Sequence, residues 1–471
     1  MICVVIKESC LQEIKTQLTQ VGLLADLAEI RLDSLEHFTL SDVQDLLDLS
    51  LLPLILTLRS EKEGGEWKGS EPVRQQMLLK LSSLHPAYLD LEASLPSSLL
   101  FQIKASAPKT QLILSTHDFE KTPEDLDALF QEMQQFPADI YKCAYMAKST
   151  SDALRLILWK RSQKHTVLPV SMGPMGQISR LLSPYIGNPF TYACIDEARP
   201  SAPGQISAEK LRNAFGHLHP QTQLFGLIGD PVVQSEGDVI HNAVFQRQKK
   251  DAVYFKMQVK KEELPSFLDD AKLLFSGLSV TIPHKETIIP LLDEIDPEAL
   301  LIGAVNTLCF RNGKIWGSNT DAEGAALAIE KRLCLKGKKV ALIGAGGAAR
   351  AVAYACMKRG ADVALFNRSK ERALKLAEFL GCSGFPLDKI DHFNPIDLLI
   401  NATSHPLPME IQKLSSRPLV MDLHPTQETL LLKTAKHHGC QTLHGKEMFL
   451  EQAALQYQLW FSENGSYYFY K

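Results

Sequence analysis

The chain has 471 residues, of which 45% are hydrophobic and 22% charged, and its formal net charge is −4. Such a composition is typical of a globular protein, and the length suits about three domains. There is no global excess of basic residues, which argues against a nucleic-acid-binding protein and leaves phosphate or carboxylate recognition to local features.

Nine cysteines are scattered along the chain without a CxxC pair. An odd count without paired spacing argues against a disulfide framework and a zinc site, so we expect no metal and a reducing compartment. The longest apolar stretch, 49–58, contains Pro53 and is about half a membrane span. We therefore expect no membrane association and a cytoplasmic protein, and the lack of a transit segment favours a bacterial one. The oligomeric state stays open.

In the first half, short apolar runs alternate with amphipathic segments. The runs predict eight strands, at 2–6, 26–31, 54–58, 87–91, 111–115, 140–144, 167–171 and 190–194. Helical patterns lie between them, for example at 41–49, 72–84, 123–136 and 151–162. Eight consecutive βα units predict a closed (β/α)8 TIM barrel over residues 1–213.

Polar side chains gather at the carboxyl ends of these predicted strands. Taken in chain order, they are Glu29, Arg31, Arg59, Glu92, His117 and Lys142. We expect His117 just beyond the fifth strand and Lys142 inside the sixth. Strand ends meet at one mouth of a barrel, so these residues should face a common pocket. Any one of them alone could be a surface charge or a hydrogen-bonded core group.

A lysine inside an apolar strand, as at Lys142, requires an explanation. Burial disfavours an ammonium group, so such a lysine can become a neutral amine that attacks a ketone to give an imine. His117 could then remove the proton next to the imine, and loss of a β-hydroxyl would complete a dehydration. The alternative is a lysine that reaches solvent at the barrel rim and a histidine that caps Asp118.

A second region begins after the polar stretch 213–222. Its first predicted strand, 224–228, leads into a Gly-Asp-Pro turn, and a strand at 339–343 runs into GAGGAAR at 344–350. A helix to about residue 357 and a strand at 363–366 complete a βαβ unit. We predict a substrate lobe at 222–330 plus 440–471 and a dinucleotide lobe at 335–435. The final amphipathic helix, 446–461, should pack on the substrate lobe.

The glycine-rich turn follows a strand and opens a helix, as a phosphate-binding turn requires. The next strand ends in Asn367-Arg368-Ser369 rather than in a carboxylate. A guanidinium at this place favours the 2′-phosphate of NADP over NAD. The alternative is a solvated arginine beyond an ordinary strand.

Two further segments place a lysine and a carboxylate near turns. They are SVTIPHK at 279–285, which ends in Lys285, and GSNTD at 317–321, which ends in Asp321. Such a pair beside a nicotinamide can pass a proton to or from an alcohol oxygen while hydride moves on carbon.

Motifs of the first half resemble type I 3-dehydroquinate dehydratase. They are EIRLD at 29–33, TLRS at 57–60, EGG at 63–65, STHDF at 115–119, Lys142, ISR at 178–180 and SAPGQ at 201–205. The resemblance implies a Schiff base on Lys142, with His117 as general acid–base oriented by Glu63. Arg180 would bind the substrate carboxylate. Further ring and carboxylate contacts would come from Glu29, Arg31, Arg59, Ser201 and Gln205.

Over about 225–461, the second half resembles shikimate dehydrogenase, through the two segments above with GAVNTL at 303–308, NATS at 401–404 and MFLEQAA at 448–454. The resemblance implies that Lys285 and Asp321 are the catalytic pair. Small-molecule substrate would be held by Ser235, Thr281, Asn306 and Gln452. NADP(H) would be held by Gly344, Gly346, Gly347, Ala348, Asn367, Arg368 and Ser369.

Three positions depart from the dehydrogenase pattern. The first substrate motif lacks its second serine and has Gly237 in that place. In the second substrate motif, Ser279 replaces the usual asparagine. A tyrosine-containing stretch near 422–425 is shortened, and His424 is the nearest polar residue. A lost donor would weaken carboxylate binding or make room for quinate, which has an extra hydroxyl. Besides consecutive dehydratase and dehydrogenase activities, the alternatives are therefore a quinate enzyme and a non-catalytic metabolite sensor, which would not need to keep the reactive groups.

Overall fold

The computed structural model describes residues 1–215, 218–410, 416–424 and 428–462. The chain divides into two compact units, Met1–Thr222 and Gln223–Lys471. No helix among the described residues is long and apolar enough to span a membrane.

The first unit is a nearly closed barrel of eight parallel strands in the order β7-β6-β5-β4-β3-β2-β1-β8. The strands are β1 Ile2–Ile6, β2 Leu27–Arg31, β3 Leu54–Thr57, β4 Tyr88–Glu92, β5 Gln111–Asp118, β6 Ile140–Met146, β7 Val167–Met172 and β8 Thr191–Ala193. The helices are α1 Leu11–Val21, α2 Leu40–Leu49, α3 Glu71–Ser82, α4 Ser97–Ser106, α5 Leu126–Met133, α6 Thr150–Ser162, α7 Gln177–Leu181 and α8 Ala208–Phe215. The predicted barrel is confirmed.

Strand β5 runs further than predicted. Thr116, His117 and Asp118 continue the parallel ladder opposite residues 143–145 of β6. The expectation that His117 follows the strand was therefore wrong, because pairing with β6 keeps it extended.

Alternation along the strands explains how the barrel mouth becomes polar. Apolar side chains such as Leu27, Ile113 and Ile140 belong to one buried cluster that also contains Leu168 and Phe190. Successive side chains of a strand point to opposite faces, so residues two positions further on lie on the same inner face. These positions carry Glu29, Ser115 and Lys142, which are all buried. The interior thus changes from apolar to charged along the strands.

The second unit contains two six-stranded sheets. The first has the order β10-β9-β11-β13-β14-β12 and is mixed, with β13 antiparallel to both of its neighbours. Its strands are β9 Gln223–Gly229, β10 Ala252–Gln258, β11 Gly277–Val280, β12 Glu294–Ile295, β13 Thr307–Arg311 and β14 Lys314–Ser318. The helices along this part of the chain are α9 Gly237–Arg247, α10 Leu264–Ala271, α11 His284–Thr287, α12 Pro297–Ile302 and α13 Asp321–Glu330.

The second sheet is parallel throughout, in the order β17-β16-β15-β18-β19-β20. Its strands are β15 Lys339–Ile343, β16 Asp362–Asn367, β17 Ser383–Pro386, β18 Leu398–Asn401, β19 Leu419–Asp422 and β20 Thr442–His444. Its helices are α14 Gly347–Lys358, α15 Lys370–Leu380 and α16 Leu430–His437. This is the predicted Rossmann-type sheet, and strand order reverses between β15 and β18, where ligands of such sheets bind.

The last helix, α17 Gly445–Phe461, returns to the first of these two sheets. Trp460 is buried with Phe225 of β9, and its indole Nε1 donates a 3.0 Å hydrogen bond to the Leu308 carbonyl of β13. The lobe boundaries 222–330 plus 440–471 and 335–435 stay a prediction, and residues 411–415, 425–427 and 463–471 of them lie outside the described part.

Candidate active sites

The barrel mouth encloses a cavity that brings together the predicted dehydratase residues. Its lining includes Glu29, Arg31, Arg59, Glu63, His117, Lys142, Arg180, Ser201 and Gln205. Glu92, which we expected at the same pocket, is not part of this lining. Its carboxylate accepts hydrogen bonds from the Ser60 backbone N–H at 2.7 Å and from Arg74 Nη2 at 2.9 Å. These contacts hold the carboxylate away from the cavity.

Lys142 lies in the middle of β6 and is only 5% exposed. Its Nζ donates a 3.0 Å hydrogen bond to Asp90 Oδ2 and lies 3.9 Å from Glu29 Oε1. Asp90 Oδ1 also accepts from Arg59 Nη2 at 2.7 Å and from Ser115 Oγ at 2.6 Å. Burial raises the pKa of the Asp90 carboxyl, but the charges of Arg59 and Lys142 outweigh it, and the pKa falls below its usual range.

Sequence reasoning missed Asp90. It lies between Leu89 and Leu91 in a strand that reads as a short apolar run, and only Glu92 at the end of that strand was predicted to face the pocket. The carboxylate at an inner position of β4 could have identified Asp90, because a buried carboxylate must be paired with a cation or a hydrogen-bond donor.

His117 and Glu63 form the second element of this site. His117 Nδ1 lies 2.9 Å from Glu63 Oε2, and Ser94 Oγ donates to the other carboxylate oxygen at 3.0 Å. Burial lowers the pKa of His117 well below its usual value, helped by the nearby cations Arg59 and Lys142, so the imidazole is neutral near pH 7. Burial also raises the pKa of Glu63 to about 7. With Glu63 ionised, Nδ1 carries the hydrogen and Nε2 is free to accept a proton.

Arg180 of α7 is a buried cation without an acidic partner in the described part of the chain. It is 2% exposed, its Nη1 donates to the Tyr192 carbonyl at 3.2 Å, and its Nε has no acceptor among the described residues. Burial lowers its pKa to about 10. Because it lines the cavity, an anionic group bound there would satisfy it.

The remaining predicted residues of this mouth are arranged by short-range contacts. Ser201 donates to Gln205 Oε1 through both its backbone N–H at 2.9 Å and its hydroxyl at 3.0 Å. Arg31 is held by Asp33 in a two-bonded pair of 3.0 and 2.7 Å. These contacts fix polar groups at the cavity wall before any ligand binds.

In the second unit, Lys285 and Asp321 are in direct contact. Lys285 Nζ lies 2.5 Å from Asp321 Oδ2, and Asp321 is 5% exposed at the start of α13. The segment SVTIPHK brings the lysine there as β11 ends and α11 begins. This pair offers a proton donor and its partner in one place.

Two predicted substrate-binding residues lie in one buried cluster. Asn306 Nδ2 donates to Thr320 Oγ1 at 2.9 Å and to Gln452 Oε1 at 3.2 Å. Thr320 directly precedes Asp321, which links the cluster to the lysine pair. In the described residues, Ser235 and Thr281 make no hydrogen bond with either group, although Ser235 Oγ accepts from the Gly237 backbone N–H at 3.2 Å.

A neighbouring hydrogen-bond network was also missed. Gln456 Oε1 accepts from Ser279 Oγ at 2.9 Å, and its Nε2 donates to the Asn306 carbonyl at 3.0 Å. Gln456 lies one helical turn after Gln452 on α17, so the i, i+4 spacing was the available signal. At Gly237, a side-chain Cβ would lie 3.3 Å from both Ser235 Oγ and Tyr254 Oη, so the usual serine would be crowded here.

The glycine-rich turn after β15 fits a dinucleotide phosphate. Gly344 has φ +129° and lies against the Ala402 carbonyl, whereas a Cβ at Gly346 would meet nothing within 4 Å. Gly346 precedes α14 without a side-chain cap, so the first N–H groups of that helix are available to an anion. A Cβ at Gly347 would lie 3.0 Å from Lys285 Cβ, which places the turn next to the lysine pair.

The end of β16 carries the residues expected at the adenosine side. Arg368 is exposed, and Asn367 Nδ2 donates to the Ser369 carbonyl at 3.1 Å. The Ser369 hydroxyl accepts from the Arg372 N–H at 3.3 Å and caps α15. Among the described residues Arg368 has no acidic partner, so its guanidinium is free to meet a phosphate.

The two units thus define a class of protein: a barrel enzyme with a buried lysine in its cavity, joined to a dinucleotide-dependent oxidoreductase. Family models match the chain as type I 3-dehydroquinase at 2–222, shikimate dehydrogenase substrate binding domain at 227–308 and shikimate / quinate 5-dehydrogenase at 326–422. Shikimate biosynthesis protein AroDE of Chlamydia pneumoniae is 37% identical, covering 98% of this chain and 96% of that protein. The chain belongs to the family of bifunctional 3-dehydroquinate dehydratase/shikimate dehydrogenases.

The chain is also similar to two further relatives and to one solved structure. The chloroplastic bifunctional 3-dehydroquinate dehydratase/shikimate dehydrogenase of Arabidopsis thaliana is 36% identical over 92% of this chain and 77% of that protein. The shikimate dehydrogenase (NADP(+)) of Aquifex aeolicus is 38% identical over 52% of this chain and 93% of that protein. The crystal structure of the Aquifex aeolicus dehydrogenase matches with a TM-score of 0.49 at 38% identity, covering 53% of this chain and 95% of that one.

Proposed function

We propose that the chain catalyses two consecutive reactions. The barrel dehydrates 3-dehydroquinate to 3-dehydroshikimate, and the second unit reduces 3-dehydroshikimate to shikimate with NADPH. The observation that carries the proposal is the barrel cavity, where a buried amine, a neutral imidazole and a buried guanidinium meet, the last without an acidic partner among the described residues. A ketone with a carboxylate and a β-hydroxyl would engage all three groups.

In the barrel, Arg180 would bind the substrate carboxylate and place the ketone at Lys142. Nζ attacks the carbonyl carbon, and loss of water gives an iminium that acidifies the adjacent C–H. His117 Nε2 takes that proton, since Glu63 holds Nδ1. The imidazolium then protonates the departing hydroxyl, and hydrolysis of the second iminium releases product and returns the amine.

In the second unit, Lys285 and Asp321 would handle the proton of the substrate oxygen. The Asn306–Gln452 cluster would orient the ring hydroxyls beside them. When bound, NADPH supplies the hydride. The α14 N-terminus would hold its pyrophosphate and Arg368 its 2′-phosphate, while Asn401–Ser404 borders the same turn through Ala402.

Neither the quinate enzyme nor the non-catalytic metabolite sensor is favoured. A sensor would not need Lys142, His117, Lys285 and Asp321, and the full-length relatives are named for shikimate biosynthesis or for both activities. A cytoplasmic protein of bacterial origin stays a prediction, since the relatives come from Chlamydia and from a plant chloroplast.

Borohydride reduction in the presence of 3-dehydroquinate tests the barrel reaction. We expect a single adduct at Lys142 by mass spectrometry and none in Lys142→Ala. Lys148→Ala, which changes an exposed lysine on the loop after the same strand, should be trapped like the wild type. An unmodified Lys142 with full turnover would refute the Schiff base.

Cofactor choice tests the second unit. Arg368→Ala should raise KM for NADPH about 10- to 100-fold and leave KM for NADH within about twofold, because one charge-assisted contact to the 2′-phosphate is lost. Exposed Arg372, on the first turn of α15, provides the control variant Arg372→Ala. Equal effects on the two cofactors would exclude the proposed role of Arg368.

A further inference from the structure

The ring of Tyr192 forms one wall of the cavity beside Lys142. Tyr192 is the middle residue of β8, is 4% exposed, and lines the same cavity as the lysine. Lys142 Nζ lies over the face of this ring, 4.3 Å from its centroid. A cation within about 6 Å of an aromatic face is attracted by the negative charge density of that face. No step of the mechanism above uses this contact.

Nearby acidic groups are shared with other donors. Asp90 bonds Lys142 through Oδ2, while its Oδ1 serves Arg59 and Ser115. Glu29 Oε1 accepts from Thr57 Oγ1 at 2.7 Å and is 3.9 Å from Nζ. The site around Nζ therefore contains two carboxylates, each of which also accepts from other donors, and the face of one aromatic ring.

Imine formation changes what these partners can do. An ammonium has three N–H donors, whereas an iminium nitrogen carries one and keeps the positive charge. Asp90 can retain its one hydrogen bond to this nitrogen, and Glu29, 3.9 Å away, acts through space in both states. Attraction to a ring face needs no N–H, so it survives the change from ammonium to iminium.

We propose that the ring face of Tyr192 stabilises the cationic imine formed on Lys142. This rests on the proposed dehydratase function. Nζ forms a bond to the carbonyl carbon, the C–O bond breaks, water leaves and the charge stays on nitrogen beside the ring. Proton transfer to His117 turns this cation into a neutral enamine, and departure of the hydroxyl as water restores a cationic imine. The ring thus favours both cationic imines over the neutral enamine that lies between them.

The phenol hydroxyl is not needed for this role. Tyr192 Oη is buried and has no hydrogen-bond partner among the described residues. Burial raises the pKa of this phenol well above its usual value, and the carboxylates of Glu29 and Asp90 raise it further, so it stays neutral. Phenylalanine keeps the ring and removes only an unsatisfied group, so Tyr192→Phe should retain activity.

A graded series of rings at position 192 tests the proposal. Tyr192→Phe, then 3,5-difluoro- and pentafluorophenylalanine at the same position, keep the ring shape while fluorine withdraws charge from its face. In full-length chain with 3-dehydroquinate and borohydride, the trapped fraction of Lys142 and kcat/KM should fall stepwise along the series. Tyr192→Leu should lose about 2- to 30-fold in both, the range that cation–π energies of about 0.5–2 kcal/mol correspond to.

Equal trapping along the fluorinated series would overturn the proposal, as would a loss in Tyr192→Phe as large as in Tyr192→Leu. Fluorine adds little volume to the ring, so the series changes the charge of the ring face more than its packing. Circular dichroism and thermal unfolding of the same samples show whether the barrel of each variant is folded, and reduction of 3-dehydroshikimate by the second unit measures the concentration of intact chain. A wild-type chain that is never trapped while it turns over would instead refute the Schiff base itself, and with it the role of Tyr192.

Discussion

The two candidate catalytic lysines lie in different surroundings, and the difference matches their proposed tasks. Lys142 is 5% exposed among two carboxylates and an aromatic ring, a setting that stabilises a lasting positive charge on nitrogen. Among the described residues Lys285 is paired only with Asp321, and its side chain is 15% exposed, a setting for reversible proton transfer. At residue scale, the neighbours of an amine decide its chemistry more than its burial does.

The pH dependence of the barrel reaction should reflect Glu63. Its pKa is raised to about 7, while that of His117 is well below its usual value. The imidazole is thus already neutral, and ionisation of Glu63 creates the tautomer with a free Nε2. We expect dehydratase kcat/KM to rise with pH through about 7.

Glu63→Gln should remove this rise and lower kcat/KM by about 10-fold, the value of one charged hydrogen bond. Initial rates at constant ionic strength between pH 5 and 9 measure both effects. A rise that persists unchanged in Glu63→Gln would contradict the assignment. Glu61→Gln, an exposed carboxylate on the same turn, is the matched control.

Arg180 should contribute mainly to substrate binding. Its loss removes the charged partner of the carboxylate, and such bonds are worth about 1.5–3 kcal/mol. Arg180→Ala should therefore raise the dehydratase KM about 10- to 150-fold, and exposed Arg161→Ala should leave it unchanged. Steady-state kinetics measure both KM values. A KM of Arg180→Ala within twofold of the wild type would exclude Arg180 from the carboxylate site.

At the scale of elements, strand positions followed from the sequence because each βα unit repeats one apolar pattern. All eight predicted barrel strands start within one residue of the observed ones, at Ile2, Leu27, Leu54, Tyr88, Gln111, Ile140, Val167 and Thr191. The length of β5 did not follow, since its last residues are polar and are held extended by β6. The sequence did not predict that Asp90, Tyr192 and Gln456 belong to the sites, because their roles depend on neighbours far away in the chain.

The loop after β8 carries Ser201 and Gln205, and its shape depends on Gly204. This glycine has φ +75°, and a Cβ would lie 2.2 Å from the Gly173 carbonyl oxygen. Gly204→Ala must displace the loop, so dehydratase kcat/KM should fall at least about 10-fold, given a strain above about 1 kcal/mol. Gly22→Ala, with nothing within 4 Å of the new Cβ, is the control. Unchanged kinetics in Gly204→Ala would show that this loop does not hold substrate.

For the whole molecule, each of the hydrophobic clusters formed by the described residues lies within one unit. Barrel residues pack among themselves, as Ile14, Leu56 and Phe130 do, whereas Ala341 and Phe366 belong to clusters of the second unit. Each candidate site also takes all its named residues from one unit. Loss of one activity by substitution should therefore leave the other intact.

Conversion of 3-dehydroquinate to shikimate by Lys142→Ala, Lys285→Ala and their mixture tests the central claim most directly. Lys142→Ala should leave 3-dehydroquinate unchanged yet reduce added 3-dehydroshikimate at the wild-type rate. Lys285→Ala should stop at 3-dehydroshikimate without consuming NADPH, and the mixture should form shikimate with one NADPH oxidised per molecule. Dehydration by Lys142→Ala or NADPH consumption by Lys285→Ala at wild-type rates would contradict the assignment of the two sites.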